Sequence, residues 1–271
     1  MENKFTVKGD GFIEEGWDNI ISFLRKRTLC KSIVAVDCYI GVDYEKIKKH
    51  IAKIDPILFV DTKDLFVSED KINDLVEKHV ADISLSNVSL SDYFDFEKLQ
   101  KARNAIDRAD DNVVIFGSGA HLVSSNDILI YVDLSHKDLV NRISNREIDS
   151  FTIHNGNTSE QYKKRLLSDL IILDQHKEMI IPYVDYWIDT LDSENPKMID
   201  KNTFNQIKRT FENTSVYKEF VSNKQVLSKK EIFEIMKNTD QYSDKYVLYF
   251  NDLTVKFKDS DFAIPMTDFM L

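Results

Sequence analysis

Short apolar runs, each closing on an acid or running into a glycine and each followed by a helix-length stretch, constrain this chain more than any other feature. Residues 32–37 (SIVAVD), 57–61 (ILFVD), 112–116 (NVVIF, then Gly117) and 127–133 (DILIYVD) are rich in β-branched side chains and too short for helices. Such runs are what strands buried on both faces of a parallel sheet look like. A fifth run, 183–190 (YVDYWIDT), alternates apolar and polar residues and reads as a further strand. Between the runs, spacing at three and four residues predicts helices over 16–27, 43–53, 70–80, 96–109, 136–147 and 159–177, with 84–95 a polar loop. Alternating strands and helices imply an α/β fold, a doubly wound and mostly parallel sheet with right-handed crossovers. Ligands of such sheets bind beyond the carboxyl ends of the strands, here Asp37, Asp61, Gly117 and Asp133.

After about residue 192 the pattern changes. Asn195-Pro196 marks a turn, and helices are expected over 203–210 and 228–237, the second with Ser228 and Glu231 spaced as a capping box. Residues 246–250 and 253–258 read as a β-hairpin, with 262–266 as a third strand. The expected division is therefore 1–192 as the α/β domain and 193–271 as a small α+β unit. The chain ends on an apolar Phe269-Met270-Leu271, read as a continuation or a partner surface.

Composition narrows the partners. The 271 residues carry 36 Lys+Arg against 46 Asp+Glu, a net charge of -10. Binding a nucleic-acid backbone requires clustered cations, so an acidic chain is not expected to do so. The longest apolar stretches are far too short to span a bilayer, and the first ten residues lack a signal-peptide core. Two cysteines cannot make a disulfide framework, which points to a reducing cytoplasm.

The loop after the first apolar run sits where a phosphate-binding P-loop would. That motif, G-x-x-x-x-G-K-[ST], cradles phosphate on backbone N–H groups, neutralises it with lysine and holds magnesium with the hydroxyl. Aligned on this chain, it puts Cys38 at the first glycine, Asp43 at the second, Tyr44 at the lysine and Glu45 at the hydroxyl, with Gly41 at a permissive interior position. Asp43 also suits a helix N-cap. The strand-loop-helix context fits; the charges oppose a triphosphate, so a magnesium-nucleotide cofactor is disfavoured.

The phrases SIVAVDCYIG, ILFVDTKDLF, NVVIFGSGA and DILIYVDLSHKDLVNRISNRE resemble, in order, uridine kinase-like P-loop phosphotransferases. That resemblance implies acids near an acceptor hydroxyl at Asp61 and Asp64, Asp61 acting as general base. It implies the D-x-x-I-x-V-D strand pattern at Asp127 and Asp133, and lid arginines at Arg142 and Arg146. A second resemblance covers most of the chain. NVVIFGSGAHLVSSNDILIYVDLS, LDQHKEMIIPYVDYWIDT, ENPKMI and YVLYFNDLTVKFKDSDFAIPMTDFML resemble the N-terminal half of long bacterial class I mannose-6-phosphate isomerases. It implies a setting in carbohydrate phosphate metabolism, with zinc and a cupin isomerase domain as partner. The cupin ligands, a Gln-x-His pair with a Glu and a distant His, are not in this sequence; Gln175-His176 lacks the spacer. What is implied is the accessory half.

Read from the residues, further candidates join these. Asp37 ends its strand beside the loop, and Gly117 and Gly119 would let backbone approach a ligand. His121 is the histidine nearest the strand ends. Arg142 and Arg146, four apart, would share a helix face and clamp a phosphate. The expected ligand is a phosphorylated small molecule, a phosphosugar or a nucleoside, with a homo-oligomer or an isomerase domain as protein partner.

Overall fold

The computed structural model describes residues 4–7, 11–28, 31–81, 88–135, 138–139, 141–142, 145–148, 159–214, 252–257 and 260–265. The helix expected over 228–237, the strand expected over 246–250 and the apolar end at 269–271 lie outside them.

Strands β1 (Lys4–Val7) and β2 (Ile13–Glu15) precede helix α1 (Trp17–Arg27). Then follow β3 (Ile33–Cys38), α2 (Tyr44–Ile51), β4 (Leu58–Asp61), α3 (Glu69–Ala81), α4 (Phe96–Arg108), β5 (Val113–Phe116), the single turn α5 (Ala120–Val123) and β6 (Ile128–Asp133). The long helix α6 (Ser159–Ile180) leads to β7 (Tyr186–Asp189), β8 (Lys197–Asp200) and α7 (Lys201–Glu212), and the described part closes with β9 (Asp252–Phe257) and β10 (Ser260–Pro265).

The main sheet has seven strands in the order β2-β8-β7-β6-β3-β5-β4. The block β4-β5-β3-β6-β7 is parallel, and β8 and β2 extend it antiparallel past β7. Side chains alternate across it. Val34, Val36, Val114, Phe116, Ile130 and Val132 point to the layer of α1 and α2, where Trp17, Ile20, Leu24, Ile47 and Ile51 bury them. Ala35, Ile115, Leu129 and Tyr131 point to the opposite layer, with Ile72, Ile106, Leu170, Leu173 and Phe204. Covered on both faces, the parallel strands read as continuous apolar runs.

The sheet runs past residue 192: β8 pairs with β7 (Ile188 opposite Met198), and α7 buries Phe204, Ile207 and Phe211 in the main core. A short antiparallel return strand carries no period of its own that distinguishes it from a new domain. The small sheet, β1-β9-β10, pairs β9 antiparallel with β10 and parallel with β1. The hairpin partner of 252–257 is thus the segment expected only as a third strand. Phe262 and Ile264 of β10 are buried in the main core. No helix among the described residues is long and apolar enough to cross a membrane.

Candidate functional site

From β3 the chain crosses to the edge strand β4, returns to β5 beside β3, and then crosses to β6 on the other side. The carboxyl end of β3 is therefore a topological switch point, the place where an open α/β sheet leaves a crevice. A cleft of about 430 Å³ opens there, within the range of small-molecule sites. Its walls are the loop 39–42, the start of α2 (Asp43, Tyr44, Glu45), Thr62 and Lys63 after β4, Ser118 after β5, and Arg142, Glu147 and Ile148 from the segment after β6.

The α2 end of the cleft is occupied by the chain's own groups. Asp43 caps the helix, accepting from Lys46 N at 3.3 Å. Tyr44, at the P-loop lysine position, donates its hydroxyl to Asp61 Oδ1. Lys48, one turn on, donates to Asp61 Oδ2 at 2.5 Å, and the Lys63 N–H donates to Oδ1 at 2.9 Å. Asp61 is thus a structural hub tying α2 to the end of β4. Burial, followed by the bond to Asp61, pushes the Tyr44 phenol far above its ordinary range. The bond to Asp61 raises Lys48. Gly117 explains how closely these parts meet. With φ +118, a Cβ there would lie 2.2 Å from Thr62 Oγ1 and 2.6 Å from the Tyr44 hydroxyl. Its freedom serves this packing rather than a ligand's approach.

A second hub lies on the other face of β3. Asp37, fully buried, accepts from Gly119 N (3.0 Å) and His121 N (3.1 Å), and His176 Nε2 from α6 stands 2.9 Å from its Oδ2. The next residue on α6, Lys177, donates to Asp133 Oδ2 at 2.5 Å, with its ammonium over the rings of Tyr39 and Tyr131. Tyr39, a wall of the cleft, donates to Asp174 of α6 at 2.5 Å. Buried charges persist only when paired and hydrogen-bonded in this way. Helix α6 therefore pins the ends of β3 and β6 and the start of the β3 loop.

Of the residues singled out from sequence, Gly41 and Arg142 line the cleft, and they touch: Arg142 Nη1 donates to Gly41 O at 2.6 Å. Asp37 and Asp61 frame it as hubs without lining it. Asp64 is exposed on the turn after β4. Gly119, at φ +77, brings its N–H to Asp37, where a Cβ would press on Phe94 at 3.0 Å. His121 holds Asn126 through Nδ1 (2.8 Å) and stacks on Tyr183. Arg146 does not share a helix face with Arg142. It has φ +56, and Glu147 N bonds back to Arg142 O at 2.8 Å, the six-to-one bond of a Schellman ending. The i, i+4 spacing predicted a continuous helix; the chain leaves it at Arg146. Cys38, at the first P-loop position, is buried, and its thiol is raised well above its ordinary value by burial and then by Asp37 and Asp61, so it is no thiolate nucleophile.

Sequence reasoning missed Lys63, Tyr39 and the α6 pair His176-Lys177. The signal for the pair was Asp169 and His176, seven residues apart and so on one face of a helix that is apolar over 170–173.

Neither implied cofactor finds its ligands among the described residues. Among the described residues, no group of three or more His, Cys, Asp and Glu is placed to hold a metal, and His176 is committed to Asp37. At the P-loop position the lysine and hydroxyl partners of magnesium-nucleotide are Tyr44 and Glu45.

The fold defines an α/β protein with an open, mostly parallel seven-stranded sheet and a cleft at its switch point. The chain belongs to a family described as a domain of unknown function (DUF8485), whose match spans residues 16–212. That span runs from the start of α1 to the end of α7 and takes in every wall of the cleft. None of the curated proteins compared with the chain matches it.

Proposed function

We propose that this protein is a kinase-like α/β domain that has lost its triphosphate site and binds a small phosphorylated metabolite, a phosphosugar or a nucleoside monophosphate, without transferring phosphate. The observation that carries this is the state of the α2 start. Where a P-loop offers lysine and free donors, Tyr44 is bonded to Asp61 and Asp43 caps the helix, with Glu45 beside it in the cleft wall. At about 5 Å and an effective dielectric of about 20, each charge pair is worth roughly 3 kcal/mol. Exchanging a lysine for tyrosine and adding two carboxylates therefore sets several kcal/mol against a polyphosphate. The alternative, an active phosphotransferase with Asp61 as base, is weakened by the three donors already on that carboxylate. The mannose-6-phosphate isomerase resemblance supports a role in carbohydrate phosphate metabolism, with this chain as binding or scaffolding partner of an isomerase domain.

Thermal unfolding with added ligands tests this. A ligand at 100 times its Kd stabilises by about 2.7 kcal/mol. Hexose 6-phosphates or nucleoside monophosphates should raise the Tm at millimolar concentration, and magnesium-ATP should leave it unchanged. A rise with magnesium-ATP alone would overturn the reading.

A further inference from the structure

The β3 loop lacks a cation at the phosphate position, yet the cleft holds one next to that place. We propose that Lys63, from the turn after β4, supplies the charge missing from α2 and anchors a single phosphate, so that the cleft takes phosphomonoesters and rejects polyphosphates. The proposal rests on the binding role above and names the residue and ligand class behind it.

The Lys63 ammonium stands 3.6 Å from the ring centroid of Tyr44, the residue at the P-loop lysine position, and both line the cleft. Its position is fixed from below. The Lys63 N–H bonds the same Asp61 carboxylate that holds the Tyr44 hydroxyl, so ring and lysine backbone share one anchor. Tyr44 also packs edge-on against Phe116, which keeps the ring still.

The neighbouring lysines are committed elsewhere. Lys48 pairs with Asp61, Lys46 with Glu194, and Lys98 donates to Phe66 O at 2.7 Å. Lys63 is held by an aromatic face, and among the described residues no carboxylate lies within ion-pair distance of it. An ammonium over a ring keeps its charge and its donors for a ligand. Arg142 lines the same cleft and spends one donor on Gly41 O, leaving the rest of its fork for a phosphate. Asp43, Glu45 and Glu147 also line the cleft. Lys63 and Arg142 can pair with the two charges of one phosphate, and the three acids repel the charges a di- or triphosphate would add.

Isothermal titration with mannose 6-phosphate, glucose 6-phosphate, uridine monophosphate and inorganic phosphate tests the proposal on the full chain and on Lys63→Gln, Lys63→Arg and Lys101→Gln. Lys101 is exposed on α4 and serves as the charge control. The expected result is binding of a hexose phosphate or of uridine monophosphate that Lys63→Gln weakens roughly 10- to 100-fold, that Lys63→Arg restores to within about fivefold, and that Lys101→Gln leaves alone. An unchanged Tm in Lys63→Gln would assign the loss to the site. Equal binding by Lys63→Gln and the unmodified chain overturns the role of Lys63 and leaves the binding role standing. A loss that Lys63→Arg fails to restore overturns the charge argument. No uptake of any phosphate probe by the unmodified chain overturns both.

Discussion

At the scale of single residues, the proposed selectivity turns on Tyr44, which lines the cleft and is bonded to Asp61. Its hydroxyl bond to the Asp61 carboxylate is charge-assisted, so Tyr44→Phe should cost about 1–3 kcal/mol in denaturant unfolding. Tyr44, Lys48 and Cys38 all hold their protons more tightly in the folded chain than in the unfolded one. Between the ordinary and the folded value, unfolding releases a proton, so rising pH favours unfolding. Their contribution is complete below the ordinary values of 9.0 for the thiol, 10.0 for the phenol and 10.5 for the amine, and is lost progressively above them. These three groups therefore leave stability unchanged through neutral pH and lower it from about pH 9. Cys38→Ser should remove the earliest part of that fall and Tyr44→Phe the part starting about one unit higher. A curve unchanged in both variants would contradict the assignment. Residue identity alone flagged the P-loop departures. It could not show that Tyr44 turns onto Asp61 or that Lys63 rises over its ring, because those contacts join segments that only the sheet brings together.

Elements show a different mixture of local and long-range causes. The five parallel strands β3 to β7 and most helices were legible because burial on both faces writes short apolar runs and helix-period stripes directly into sequence, whereas β1, β2 and β8 carried no such pattern. One helix start was legible from its capping acid, Asp43 of α2; the caps at Asp95 and Asp200 were not. Asp43, Asp95 and Asp200 each accept from N–H groups two or three residues on. Removing one such cap, Asp200→Ala, should cost about 1 kcal/mol. The inward role of α6 was hidden, since a polar face on a helix ordinarily means solvent. Here His176 and Lys177 are buried against Asp37 and Asp133. Lys177→Ala leaves the Asp133 carboxylate buried without its cation and should cost about 3–5 kcal/mol in the same assay. A cost near that of the Asp200 cap would mean that Asp133 finds solvent. The Schellman ending at Arg146 was equally hidden. Glycine usually marks that position, and an arginine in left-handed backbone gives no warning.

For the whole molecule, the unit that folds extends past the change in sequence character near 192. Strand β8 covers the edge of β7 and positions β2, while α7 buries Phe204, Ile207 and Phe211. A chain cut after residue 192 should expose the β7 edge and apolar core and lose cooperative unfolding. A soluble, cooperatively unfolding product would restore the boundary at 192. The family match ends at 212, with α7. Within that unit the proposed ligand site is the switch point, and the proposed selectivity rests on charge at the α2 start. Calorimetric titration of magnesium-ATP into the unmodified chain examines that charge most directly. The account predicts only heats of dilution up to millimolar nucleotide; a saturable one-to-one isotherm would contradict it.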